Sequence, residues 1–239
     1  MVRSVGEPVA DDLLRVGELA AHSIASGSPK AYFQAGDDKL TSPAKRHFFV
    51  AIEDDLQALD ARAWAALKAE ALPRLTAPAP GRGWEELFSI LNQARGYKRL
   101  AEMGCAGIEF VPRSKGKTPD LAATLGAARL LCEVKTIHIS AVEVARRQGG
   151  GVGTTLAHVT PEFLGKLRRD LDAARAQMEA FDAAARHIAF VVVNFDDHLH
   201  ECAADYCADI EADLATNSPA GVEVALDIKP PFYWATRAT

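Results

Sequence analysis

The stretch PDLAATLGAARLLCEVKTIH, residues 119–138, decides how this chain reads. Pro119 to Thr124 has the pattern of a strand, Leu125-Gly126-Ala127-Ala128 of a turn, and Arg129 to His138 of a second, mostly apolar strand, which together make a β-hairpin. Side chains alternate across a strand, so Glu133 and Lys135 share one face while Cys132, Val134 and Thr136 take the other. Hairpin pairing at this length brings Asp120 toward the Glu133 and Lys135 face. Two carboxylates and an ammonium then meet over one patch.

A hard cation such as Mg²⁺ takes oxygen ligands, keeps several waters, and needs only one or two protein carboxylates beside phosphate oxygens. Asp120 and Glu133 meet that requirement. The competing reading is an Asp at a turn followed by a Glu and a Lys that point outward from a half-exposed strand, an ordinary arrangement.

Upstream of the hairpin, Trp84 to Met103 reads as a helix with Leu87, Phe88, Leu91 and Ala94 inward, and Ala106 to Val111 as a strand. Downstream, beyond the Gly149-Gly150-Gly151 interruption, Thr160-Pro161 starts a long helix. Its apolar positions are Phe163, Leu164, Leu167, Leu171, Ala174, Met178 and Phe181. His187 to Phe195 is a continuous apolar run suited to a strand buried on both faces. A helix near Glu201 to Ala215 and a strand near Val222 to Ile228 follow.

Residues from Asp11 to about Leu75 are patterned as helices. Leu13, Leu14, Leu19 and Ile24 form one stripe; Phe48, Phe49, Ile52, Leu56 and Leu59 form a second, opened by Ser42-Pro43. The Pro- and Gly-rich residues Thr76 to Gly83 cannot continue a helix. They divide an N-terminal helical region with its linker, 1–80, from a second domain, 81–239.

The hairpin residues Pro119, Asp120, Glu133, Val134 and Lys135, set in this element order, resemble the motif of the PD-(D/E)XK nuclease superfamily. The resemblance covers about Trp84 to Phe195. It implies an α/β, restriction-endonuclease-like αβββαβ core with a mixed central sheet, preceded here by the helical region. It also implies phosphodiester hydrolysis assisted by Mg²⁺ or Mn²⁺, with DNA rather than RNA as the expected substrate. Asp120, Glu133 and the Val134 carbonyl would hold the metal, and Lys135 would position the attacking water. Members of the superfamily often add an acid from the first core helix, where this chain offers Glu85 and Glu86. A single apolar stripe through Leu87, Leu91 and Ala94 puts Glu86 nearer its border and Glu85 farther into solvent, so Glu86 is the expected extra ligand, although an acid in a first helical turn is also favoured by the helix dipole alone. Gln177 and Phe181 resemble a glutamine-plus-aromatic motif of exonuclease branches, with Phe181 where tyrosine is usual. The alternative is a catalytically inactive module of the same fold that binds nucleic acid or a protein partner.

A net charge of −5 and a pI near 5.8 supply no global attraction for a polyanion, so nucleic-acid contact must use local cations. Arg113, Lys115 and Lys117, just before Asp120, are the expected phosphate contacts, with Gln177 as a further one. The clusters Arg95-Lys98-Arg99, Arg146-Arg147 and Lys166-Arg168-Arg169 read as solvated faces balanced by acids. Four scattered cysteines form no CxxC pair, which argues against a disulfide framework or a structural zinc site. His198, His200 and Cys202 alternate as strand ligands could, but read better as a solvated strand-to-helix junction. No apolar run approaches the ~20 residues of a membrane span, and Met1 to Ala10 lacks the apolar stretch of a secretory signal. The expectation is a cytoplasmic protein with no membrane contact. The N-terminal helices are the expected surface for a homodimer or a protein partner.

Overall fold

The computed structural model describes residues 12–80, 82–113, 116–137, 158–193 and 202–228. Within them lie helices α1 (Leu14–Ala25), α2 (Pro43–Gln57), α3 (Ala61–Ala71), α4 (Glu85–Glu102), α5 (Pro161–Phe181) and α6 (Ala203–Asn217). The strands are β1 (Ala106–Phe110), β2 (Leu121–Leu125), β3 (Ala128–Ile137), β4 (Arg186–Val193) and β5 (Val222–Ile228), and a short 3₁₀ turn spans Leu72–Leu75. From α4 onward the order among the described residues is therefore helix, three strands, helix, strand, helix, strand.

The five strands form one mixed sheet in the order β1-β2-β3-β4-β5. β1 pairs antiparallel to β2 and β2 antiparallel to β3, whereas β4 pairs parallel to β3 and β5 parallel to β4. The reversals at β1-β2-β3 need only short connections, and the parallel steps need the crossovers that α5 and α6 provide. The β2-β3 turn is Gly126-Ala127, two residues shorter than the sequence pattern suggests, and Gly126 takes a φ of 60° there. Such tight hairpin loops favour glycine because it carries no Cβ to clash at positive φ.

Both faces of the sheet are covered, which explains why Ile188 to Val193 is apolar without alternation. On one face Leu121, Ala123, Cys132, Phe190 and Val192 pack with α4 and the N-terminal helices; on the other, Leu131, Ile137, Ala189, Val191 and Val193 pack with α5 and α6. Helix α4 sits close to the sheet because Gly96 leaves room. A Cβ built there would lie 2.6 Å from Val134 Cγ2 and 3.3 Å from Leu121 Cδ1.

The described part of the N-terminal region forms three helices rather than two long stripes. The second stripe breaks at Asp60, whose side chain accepts the Ala63 N–H at 2.7 Å and starts α3. Buried Glu53 of α2 accepts the Arg15 and Val16 N–H groups at 3.0 and 2.7 Å, satisfying donors at the start of α1 that would otherwise lack partners. In return, Arg15 donates to the Leu56 and Leu59 carbonyls at the end of α2. Leu14 and Ile24, expected on the inward stripe, are exposed, with no element among the described residues covering them. Within the Pro- and Gly-rich stretch the Ala79 N–H donates to the Gly83 carbonyl at 2.7 Å. One apolar cluster nevertheless continues from Leu13 through Leu75 and α4 into the sheet. None of the helices described is long and apolar enough to cross a membrane.

Candidate active site

The β2-β3 ladder ends at the pair Leu121 and Cys132, so the next rung would set Asp120 opposite Glu133. Asp120 stands just before β2, and its side chain stands in for that missing rung: Oδ2 accepts the Val134 N–H at 2.8 Å. A strand N–H left without a ladder partner thereby gains a charged acceptor. The Asp120 carbonyl meanwhile accepts from Val111 N at 3.0 Å, which ties the approach to β2 against the end of β1.

Glu133 is buried, at 5% exposure, and points to the α5 side of the sheet, one residue from Cys132 and Val134 on the α4 side. One of its oxygens, Oε1, accepts from Lys135 Nζ at 2.7 Å. The other, Oε2, accepts from Gln177 Nε2 at 2.7 Å, and the same nitrogen donates to the Thr118 carbonyl at 2.6 Å. Both hydrogens of that amide are committed within the protein, so Gln177 holds a carboxylate and the loop before Asp120 together.

Burial, reinforced by repulsion from Glu133, pushes the Asp120 carboxyl up to about 7, against the pull of the Val134 N–H and the positive charges of Lys135 and Arg113. Two acids and one amine thus share one patch with a negative excess. Burying like charges together destabilises them unless a cation or a proton intervenes. The donor set of two carboxylates with spare lone pairs suits a hard divalent ion that brings its own waters. Among the described residues, no group of three or more His, Cys, Asp or Glu is placed to hold a metal.

Of the residues expected from α4, neither acid reaches this patch by a contact seen here. Glu86 is half-exposed and lies 3.7 Å from Arg74, while Glu85, only 12% exposed along its side chain, pairs with Arg82 at 3.2 Å. The exposure order reverses the single-stripe expectation. Helix α4 is wedged between the N-terminal helices and the sheet and buries Leu87, Phe88, Ile90, Leu91, Asn92, Ala94, Gly96, Tyr97 and Leu100, nearly its whole circumference, so no single stripe orients it. The residue that does reach is Gln93, whose Nε2 donates to Asp120 Oδ1 at 3.2 Å. A sequence search confined to acids passes over it, though it lies seven residues beyond Glu86 and on the same side of the helix.

Arg113 is exposed and pairs with Glu70 of α3 at 3.0 Å, and Lys117 is exposed. Lys115, Arg146, Arg147, His138, His198 and His200 lie outside the described residues. The helical cation clusters meet acids: Arg95 bonds Asp55 and Asp227, Lys98 bonds Asp54, Lys166 bonds Asp170 and Arg168 bonds Asp213. Cys105, Cys132, Cys202 and Cys207 are free thiols.

Compared with known proteins, the chain matches no family model, no curated protein and no solved structure.

Proposed function

We propose that the protein is a metal-dependent nuclease of restriction-endonuclease-like fold, hydrolysing phosphodiester bonds, in DNA rather than RNA. The observation that carries this reading is the meeting of Asp120, Glu133 and Lys135 at the open end of the β2-β3 ladder, with each carboxylate held by hydrogen bonds. The helix, three strands, helix, strand order among the described residues, with β3 and β4 parallel, supports it as the framework that the resemblance implies.

In this reading Asp120, Glu133 and the Val134 carbonyl hold Mg²⁺ or Mn²⁺, whose chemistry would be a more acidic bound water and neutralised charge at phosphorus. Lys135, tethered to Glu133, orients the attacking water. Arg113 and Lys117 flank Asp120 on its approach loop and contact substrate phosphates, as does Lys115 between them in sequence. Gln177 fixes Glu133 and keeps that loop in register with α5. Glu86 remains an accessible acid at the start of α4, available to an ion or substrate that displaces Arg74.

The test is incubation of wild type and Asp120→Ala with circular and linear DNA, single- and double-stranded, and with RNA, in Mg²⁺, Mn²⁺ or EDTA. Cleavage that needs the metal and disappears in the variant is the expected result. Metal-independent cleavage, equal cleavage by the variant, or none on any substrate would overturn the proposal; binding without cleavage would mark an inactive binding module instead.

A further inference from the structure

Each oxygen of Asp120 is held from a different direction. Val134 N–H on β3 takes Oδ2 at 2.8 Å, and the Gln93 amide on α4 takes Oδ1 at 3.2 Å. Next along the helix, Asn92 is fully buried and donates to Thr136 Oγ1 at 2.9 Å, which fixes the height of α4 against β3 at the level of the carboxylates. Gly96, one turn farther, lets the helix approach Val134 itself. Three positions within five residues therefore set α4 by its contacts with the site.

We infer that Gln93 is a positioning residue for the proposed metal site, an assignment that rests on the nuclease reading above. An ionised carboxylate offers about four lone-pair positions; the two N–H donors use one on each oxygen and leave one on each for a cation. With the carboxylate plane fixed by donors on both sides, less of its freedom remains to be lost when an ion binds.

The choice of an amide has a second consequence, for substrate. Asp120 and Glu133 contribute two negative charges, Lys135 one positive, and a divalent ion two more, so the loaded site carries a net charge of about +1. That remainder favours an anionic phosphodiester as the next ligand. A carboxylate at position 93 would cancel it. Gln93 thus orients Asp120 without using up the charge that draws in phosphate.

Two substitutions separate these effects, measured by calorimetric titration of Mn²⁺ in the absence of nucleic acid and by kcat and KM on a DNA substrate. Gln93→Met keeps length and removes the donor; Mn²⁺ affinity should fall about tenfold, at the low end for a residue that orients a metal ligand, with the melting temperature unchanged. Gln93→Glu should bind Mn²⁺ at least as tightly as wild type, yet raise KM several-fold through the lost positive excess. Wild-type Mn²⁺ affinity in Gln93→Met overturns the assignment of Gln93 alone. Absence of Mn²⁺ binding by the wild type overturns the metal reading and this inference with it. If Gln93→Met does not fold, Gln93→Glu decides the matter: Mn²⁺ affinity below that of wild type, or a KM equal to it, would refute the proposal.

Discussion

Replacing Asp120 by Asn tests the electrostatics of the site without reference to any substrate. The Asp120 carboxyl rises from its ordinary value of 3.8 to about 7, first through burial and then through Glu133. The folded state therefore holds a proton that the unfolded chain releases at lower pH. The stability this contributes is fully present below about pH 4 and is lost as pH rises through about 7. At 1.36 kcal/mol per pKa unit the full loss is about 4 kcal/mol. Roughly two units of that rise lie between pH 5 and 7, so about 3 kcal/mol of the loss falls in a range convenient for measurement. Asparagine keeps the size of the protonated acid and cannot ionise, which should make the variant gain on wild type by about 3 kcal/mol between pH 5 and pH 8. Urea unfolding at several pH values in EDTA gives the two curves. Saturating Mg²⁺ at pH 8 should then recover stability in wild type alone, by about 2.7 kcal/mol at a hundredfold excess over its dissociation constant. Parallel pH curves for the two proteins would refute the reasoning, because they would mean that Asp120 is ionised in the fold without penalty.

Two further substitutions probe the surroundings. Lys135→Met removes the ammonium that lies 2.7 Å from Glu133 Oε1 in a partly exposed position; folding should persist while DNA cleavage slows at least about a hundredfold, the scale of a lost proton-handling or water-orienting group, and a rate within twofold of wild type would remove Lys135 from the chemistry. Gly96→Ala should destabilise by about 1–3 kcal/mol through the clash with stiff, branched Val134. In an open helix the same change would stabilise by up to about 1 kcal/mol, so the sign of the shift in urea midpoint discriminates, and a gain would mean that α4 does not press on β3 as described.

What the sequence made legible follows from the range of the forces involved. Alternation along residues 119–138 is a local pattern, and it correctly separates Glu133, on the α5 side, from Cys132 and Val134, on the α4 side. Val222 to Ile228, expected as a strand, forms one with those same ends. Asp120 was expected on the strand itself and instead precedes it, because its carboxylate rather than its backbone meets Val134. The start of α3 was also written locally, in Asp60, but an unbroken apolar pattern on either side concealed it. Phe181, read as a member of the inward stripe, is exposed and lies under Arg129, whose guanidinium is 5.8 Å from the ring centre; a stripe indicates which residues can face a core, not how far that core extends.

Gln93 was illegible for a different reason. Its partner Asp120 is 27 residues away, and the contact exists only because Gly96, one turn along, lets α4 lie close to β3. Glycine in a helix normally reads as a weak point, and here it is what brings a polar side chain within reach of the carboxylates. The residues that carry charge announce themselves by type and spacing. Those that hold the charges in place are selected by helix position, which depends on packing across the whole sheet and has no local signature.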